Sequence, residues 1–198
     1  MTCERPGWHE YFIAVAKLIS TRSTCNSRPT GAILVKDRHI LATGYNGSPP
    51  GSPHCLGNFN ADGTPFCYSR HMGSGEGDKY NYCRSSHAEA NAVAQAARLG
   101  IAVEGASVYA TLAPCYMCTK LLAAARISAV YFEHDYQSAD RKRDQHWESI
   151  FRESGIAVWE RVTLGPDCLD VFRGAFAGVT SERRLGEHRK REGEGEKR

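Results

Sequence analysis

The sequence predicts an α/β fold in which helices pack on a mixed sheet. Three observations support this. Two β-rich runs flank a two-residue turn, helix and strand patterns then alternate, and 198 residues suffice for one substantial core.

The elements follow in order. Residues Trp8–Ser20 place Trp8, Tyr11, Phe12, Val15, Leu18 and Ile19 at helical spacing, the mark of an amphipathic helix. Residues 31–36 and 39–45 are β-rich on either side of Asp37-Arg38, a hairpin pattern. Residues 87–99 are alanine-rich and helical, stopping before a C-capping Gly100. A strand over 107–112, a helix over 115–126 and a strand over 129–133 come next. Ser138 caps a polar helix that carries Trp147, Ile150 and Phe151 on one face and ends near Gly155; residues 157–162 form the last strand.

Two stretches stand apart. Residues 47–86 hold seven of the 19 glycines, four of the eight prolines and three of the eight cysteines, an insertion within a domain spanning 1–180. Residues 181–198 are Arg, Lys, Glu and Gly with almost no apolar side chain, the composition of a disordered tail with no chemistry of its own. That tail has seven Lys/Arg against five Asp/Glu, leaving 18 against 17 elsewhere, so the body is nearly neutral. A broad phosphate-binding face for nucleic acid is disfavoured. No apolar run approaches the roughly 18 residues of a membrane span, and no basic stretch followed by an apolar one opens the chain; a cytoplasmic protein is expected.

In that setting eight cysteines need a reason, because disulfides are rare in the cytosol and clustered thiols there hold metal or do chemistry. Cys3 and Cys168 read as bland buried thiols. The strongest constellation joins His87-Ala88-Glu89 to Pro114-Cys115-Tyr116-Met117-Cys118. Cys115 and Cys118, three apart at a helix start, project from one face, and the positive helix end favours their thiolates. Pro114 suits a helix entrance, and His87 opens the other helix with a neutral imidazole. Three protein ligands leave a tetrahedral metal's fourth position for water, the catalytic arrangement, and zinc brings that water's pKa towards about 7. Glu89 is free to carry protons. A zinc ribbon would need a second C-x-x-C, and there is none.

H-x-E with P-C-x-x-C is the pattern of zinc-dependent nucleobase deaminases. Together with Thr21 to Cys25, Gly31 to Asp37, Gly44-Tyr45-Asn46-Gly47, His54-Cys55 and His87 to Ala92, it makes the chain resemble the deoxycytidylate deaminases of the cytidine deaminase superfamily from about Trp8 to Val162. The resemblance implies a three-layer fold with a central five-stranded mixed sheet. It also implies hydrolysis of dCMP to dUMP and ammonia with catalytic zinc on His87, Cys115 and Cys118, and Glu89 as the catalytic residue. Gly44 to Gly47 would serve nucleotide recognition, with Tyr45 and Gly47 beside an Asn46 that contacts the sugar. The Ala88 backbone and Glu89 would read the pyrimidine edge. A homo-oligomer regulated by dCTP and dTTP is implied as well.

Arg22 is the phosphate candidate, because a guanidinium fork matches phosphate oxygens; Arg84 competes with it, and a solvated charge is the bland alternative. Some relatives carry a structural zinc near the insertion; here Cys25, Cys55, Cys67 and Cys83 would form it, with His54 or His71 as substitutes. Gly44 and Gly47 are equally readable as turn residues. Thr30 departs from the family by standing where an apolar residue is expected, and residues 57–82 are unfamiliar, which leaves room for a modified cytosine nucleotide. A tRNA or single-stranded DNA deaminase would want a basic channel and stacking aromatics, and a non-catalytic zinc module would give Glu89 no role.

Overall fold

The computed structural model describes residues 5–72, 82–136 and 149–177. Their elements are α1 (Trp8–Ser20), β1 (Gly31–Lys36), β2 (His39–Tyr45), α2 (Tyr68–His71), α3 (Ala88–Arg98), β3 (Ser107–Leu112), α4 (Tyr116–Ala124), β4 (Ala129–His134), β5 (Val158–Arg161) and α5 (Pro166–Phe176). The strands form one mixed sheet in the order β2-β1-β3-β4-β5. β1 pairs antiparallel with β2 and with β3, and β3, β4 and β5 run parallel.

The hairpin turns on Asp37 and Arg38, with φ of 50° and 64°. Both residues are in the left-handed region that a two-residue turn needs to match strand twist. β1 is buried on both faces, and its alternation splits the core. Ile33 and Val35 face Phe12 and Ile13 of α1, together with Tyr109. Ala32 and Leu34 join Ala88, Ala92 and Ala96 of α3, Leu122 of α4, and Val108 and Val130. The result is three layers, with α1 below the sheet and α3 and α4 above it.

α3 meets the sheet through alanines at i, i+4 and i+8, so it lies close to β1 and β2. Its polar residues bind the edge strand: Asn91 Nδ2 donates to the Tyr45 carbonyl at 2.7 Å, and the Thr43 amide donates to Gln95 Oε1 at 2.8 Å. The helix bearing Glu89 is thereby locked to β2.

One difference from the sequence expectations concerns the C-terminal third. The pattern reading stops at residue 162, whereas the structure adds α5. Gly165 precedes it, Pro166 sits in its first turn, and Leu169 and Phe172 pack on the α1 side of the sheet. Of the helix expected from Ser138, residues 149–153 are helical; its start, the tail and Cys3 lie outside the described residues.

Candidate metal centre and cavity

Two helix starts converge above the end of β3. His87 precedes α3 and Cys115 precedes α4, each with extended backbone, so two positive helix ends face one point. The Cys115 carbonyl accepts both the amide of Thr119 at 2.8 Å and its hydroxyl at 3.0 Å, which ties the first turn of α4. The Ala113 amide donates to the His134 carbonyl at 2.8 Å and anchors the strand-to-helix turn to β4.

His87 Nδ1 lies 3.3 Å from Cys115 Sγ and 3.4 Å from Cys118 Sγ. All three donor atoms fall within 4.8 Å of one another. Tetrahedral zinc, with bonds of about 2.0–2.1 Å to nitrogen and 2.3 Å to sulfur, would separate N and S by roughly 3.5 Å, so the trio fits that metal. A hydrogen bond from Cys118 and the nearby imidazole pull the Cys115 thiol far below its ordinary value, and that contact with Cys115 in turn raises His87. Glu89 is 4% exposed, and burial pushes its carboxyl above the usual range against the pull of His87.

These groups open into a cavity of about 440 Å³. Asn46, Thr30, Ala88, Leu112 and Tyr136 line it beside the trio's His87 and Cys115, as do two cations, Arg28 and Arg70. Asn46 is a junction. Its Oδ1 accepts from Ser23 Oγ at 2.7 Å and from the Thr30 amide at 2.8 Å, and its Nδ2 donates to the Arg28 carbonyl at 2.9 Å. Thr30 is buried here, with its hydroxyl donating to the Arg28 carbonyl at 3.2 Å, which accounts for a polar residue before Gly31.

Not every expected residue reaches the cavity. Arg22 is exposed and does not line it; Arg28, six residues on, does. Tyr45 is 39% exposed and lies outside as well. Arg84 sits with its guanidinium carbon 4.0 Å from the Tyr68 ring centre, a cation–π contact away from the lining. Gly47 is a packing residue, since a Cβ there would lie 2.3 Å from Thr24 Oγ1, and neither Gly44 nor Gly47 has the positive φ of a turn glycine. The signal for Arg28 and Arg70 was faint: single basic residues in loops, recognisable only once the loops fold together.

The insertion is clasped by the segment after α1. Asn26 Nδ2 contacts the carbonyls of Cys55, Phe66 and Asn58 at 2.7, 3.0 and 3.3 Å. Around this clasp Cys25, Cys55, Cys67 and Cys83 gather, none of them in a disulfide. Cys55 accepts the Tyr68 amide and Cys83 the Ser85 amide; burial outweighs these bonds and raises both thiols, with the neighbouring thiols adding to the rise. Cys25, Cys67 and Cys83 also line the cavity. Their donor chemistry fits a thiophilic metal, but the four sulfurs are more widely spread than the His87 trio, the tight donor group among the described residues.

Comparison with known proteins is consistent with this geometry. The family model for the cytidine and deoxycytidylate deaminase zinc-binding region matches residues 6–134. ComE operon protein 2 of Bacillus subtilis (strain 168) is 34% identical over 168 residues, 85% of this chain and 78% of that protein. The deoxycytidylate deaminase of Mycobacterium phage D29 is 38% identical over 133 residues, covering 65% of this chain and 95% of the phage protein. Among solved structures, dCMP deaminase from the cyanophage S-TIM5 in complex with dCMP and dUMP aligns at a TM-score of 0.58 and 28% identity, over 79% of this chain and 98% of that one.

Proposed function

The chain belongs to the cytidine and deoxycytidylate deaminase family, and on that premise we propose that it hydrolyses dCMP to dUMP and ammonia. One observation carries the reading: a buried carboxylate, Glu89, stands beside three convergent metal donors in a cavity sized for a small ligand.

His87, Cys115 and Cys118 would hold the zinc. Bound there, the metal would act as a Lewis acid and lower the pKa of its water towards about 7. Glu89 takes one proton from the attacking water and delivers it to ring N3 as the C4–O bond forms; it then carries the second, from the new C4 hydroxyl, to the amine as the C4–N4 bond breaks and ammonia leaves. Burial raises the Glu89 carboxyl, so it takes up and holds a proton more readily than an exposed glutamate does. Ala88, in the first turn of α3, has an amide with no partner within the helix; with Glu89 it reads the pyrimidine edge. Asn46 has one Nδ2 hydrogen beyond its bond to Arg28 and offers it to the sugar. Arg28 replaces Arg22 as the phosphate contact, because it faces the cavity.

We assign a second, structural zinc to Cys25, Cys55, Cys67 and Cys83, supported by their gathering around the Asn26 clasp and by the amide donors to Cys55 and Cys83. The enzyme acts as a cytoplasmic homo-oligomer under dCTP and dTTP control. Exposed Met117 and Leu121 on α4, with Leu99 after α3, supply apolar surface for self-association. No helix of the described residues is long and apolar enough to cross a membrane.

Ammonia release from dCMP, CMP, dCTP, cytidine and a deoxycytidine oligonucleotide tests the reading. Turnover of dCMP above the others is expected. Turnover of the oligonucleotide alone, with every free nucleotide inert, would overturn it.

A further inference from the structure

Two cations that line the cavity come from segments far apart in sequence. Arg28 comes from the segment between α1 and β1, and Arg70 from α2 in the insertion; Ser27 and the buried Ser69 line the same space. Arg70 Nη2 donates to Ser27 Oγ at 3.0 Å, so the guanidinium is tethered across the boundary between the loops. Three successive residues make that boundary. Cys25 lies among the thiols, Asn26 binds three insertion carbonyls, and Ser27 receives Arg70. Among the residues lining the cavity the carboxylate is Glu89, buried beside the metal donors, and the cations are Arg28 and Arg70. A ligand in this cavity shares it with a buried carboxylate beside the metal donors and with two arginines.

We propose that Arg70 is a specificity-determining residue: with Arg28 it binds the substrate's 5′-phosphate and makes the enzyme prefer a nucleoside monophosphate to the nucleoside. This deepens the dCMP reading and rests on it. A phosphate dianion accepts several charge-assisted bonds at once, and a planar fork supplies two from one side chain. Arg28 alone offers one fork. Arg70 is exposed and reaches the site only because the insertion is clasped to residues 25–27, so phosphate recognition depends on a segment that contributes nothing to the chemistry at the ring.

Two measurements test this. In steady-state kinetics, Arg70→Gln is expected to raise KM for dCMP by ~10- to 100-fold, the loss of one charge-assisted contact pair. It should leave kcat for dCMP and kcat/KM for deoxycytidine within about threefold of wild type, less than half a decade on that scale. Arg70→Lys, which keeps the charge and loses the fork, should recover part of the KM. In calorimetry on Glu89→Gln protein, which does not consume the ligand, adding Arg70→Gln should weaken dCMP binding by a similar factor and leave deoxycytidine binding unchanged. An equal loss for phosphorylated and unphosphorylated ligands, or no loss for either, would overturn the assignment. Absence of dCMP turnover by the wild-type chain would instead sink the deamination reading, leaving Arg70 to be judged on binding.

Discussion

Gly44 and Ala88 meet where no side chain has room. A Cβ on Gly44 would fall 2.1 Å from the Ala88 carbonyl oxygen and 2.4 Å from the Ala92 amide nitrogen. Both obstacles are backbone atoms of α3, so the helix itself would have to move. Gly44→Ala should therefore displace the first turn of α3, which carries Ala88 and Glu89. Overpacking of this kind costs about 1–3 kcal/mol, a fall in melting temperature of roughly 2–12 °C for a chain of this size. kcat should fall further than stability alone explains. Gly165→Ala is the control, since nothing lies within 4 Å of a Cβ there. Equal effects of the two substitutions on kcat would refute the packing argument.

The proton-carrying role of Glu89 separates from metal binding. Glu89→Gln keeps the side-chain volume in a site that is 4% exposed and removes only the ability to take and return a proton. Zinc content by plasma emission should stay at the wild-type level while kcat falls by ~10²- to 10⁴-fold, the usual worth of general acid–base catalysis. Retained turnover would remove Glu89 from the mechanism.

Arg22 and Arg28 offer a sharp contrast six residues apart. Arg22 is exposed outside the cavity, so Arg22→Ala should leave KM for dCMP within about twofold. Arg28 lines the cavity, and Arg28→Gln should raise KM by ~10-fold or more while its backbone carbonyl still holds Asn46 and Thr30. The reverse pattern would restore the expectation drawn from sequence.

That contrast shows what could be read from the sequence. The hairpin, α3, β3, α4 and β4 were recoverable because local periodicity and caps define them. The His87 trio was recoverable because its spacing is fixed by two helix starts. Arg70 was not, because it reaches the cavity through Asn26, whose three carbonyl contacts bridge 29 to 40 residues. Gly44 read in sequence as part of a nucleotide-recognition segment, with a turn as the alternative; only the distance to Ala88 reveals that it serves close approach. The α5 helix went unread although Gly165-Pro166 marks its start, since Leu169 and Phe172 make a short apolar stripe that gains meaning only against α1 and the sheet.

The thiol cluster predicts a metal count. Wild-type protein purified in zinc should carry two ions per chain, and Cys67→Ser one. With the second ion lost, the insertion should become more sensitive to trypsin, because a zinc held by four thiolates pins a loop that buries little apolar surface. Stripping the protein with a chelator should reproduce that sensitivity, and zinc should reverse it. A single ion in the wild type would refute the second site.

The last prediction concerns the face of the sheet opposite the metal centre. Tyr109 is buried there, its ring stacked on Tyr131 at 4.8 Å between centres, and its hydroxyl lies 3.0 Å from His9 Nδ1. Burial, reinforced by Tyr131 and Glu160, raises the Tyr109 phenol well above its ordinary value of 10.0, and Tyr131 is raised as well. The sign follows from proton linkage. Above pH 10 the unfolded chain releases the phenolic proton while the folded chain keeps it, so the unfolded state binds fewer protons and stability falls as pH rises. Below pH 10 both states hold the proton and the effect vanishes. Melting temperature should therefore decline from about pH 10 upward, and the decline should be shallower in Tyr109→Phe, whatever that variant's stability at neutral pH. An unchanged alkaline slope would show that the Tyr109 phenol titrates alike in the folded and unfolded chains.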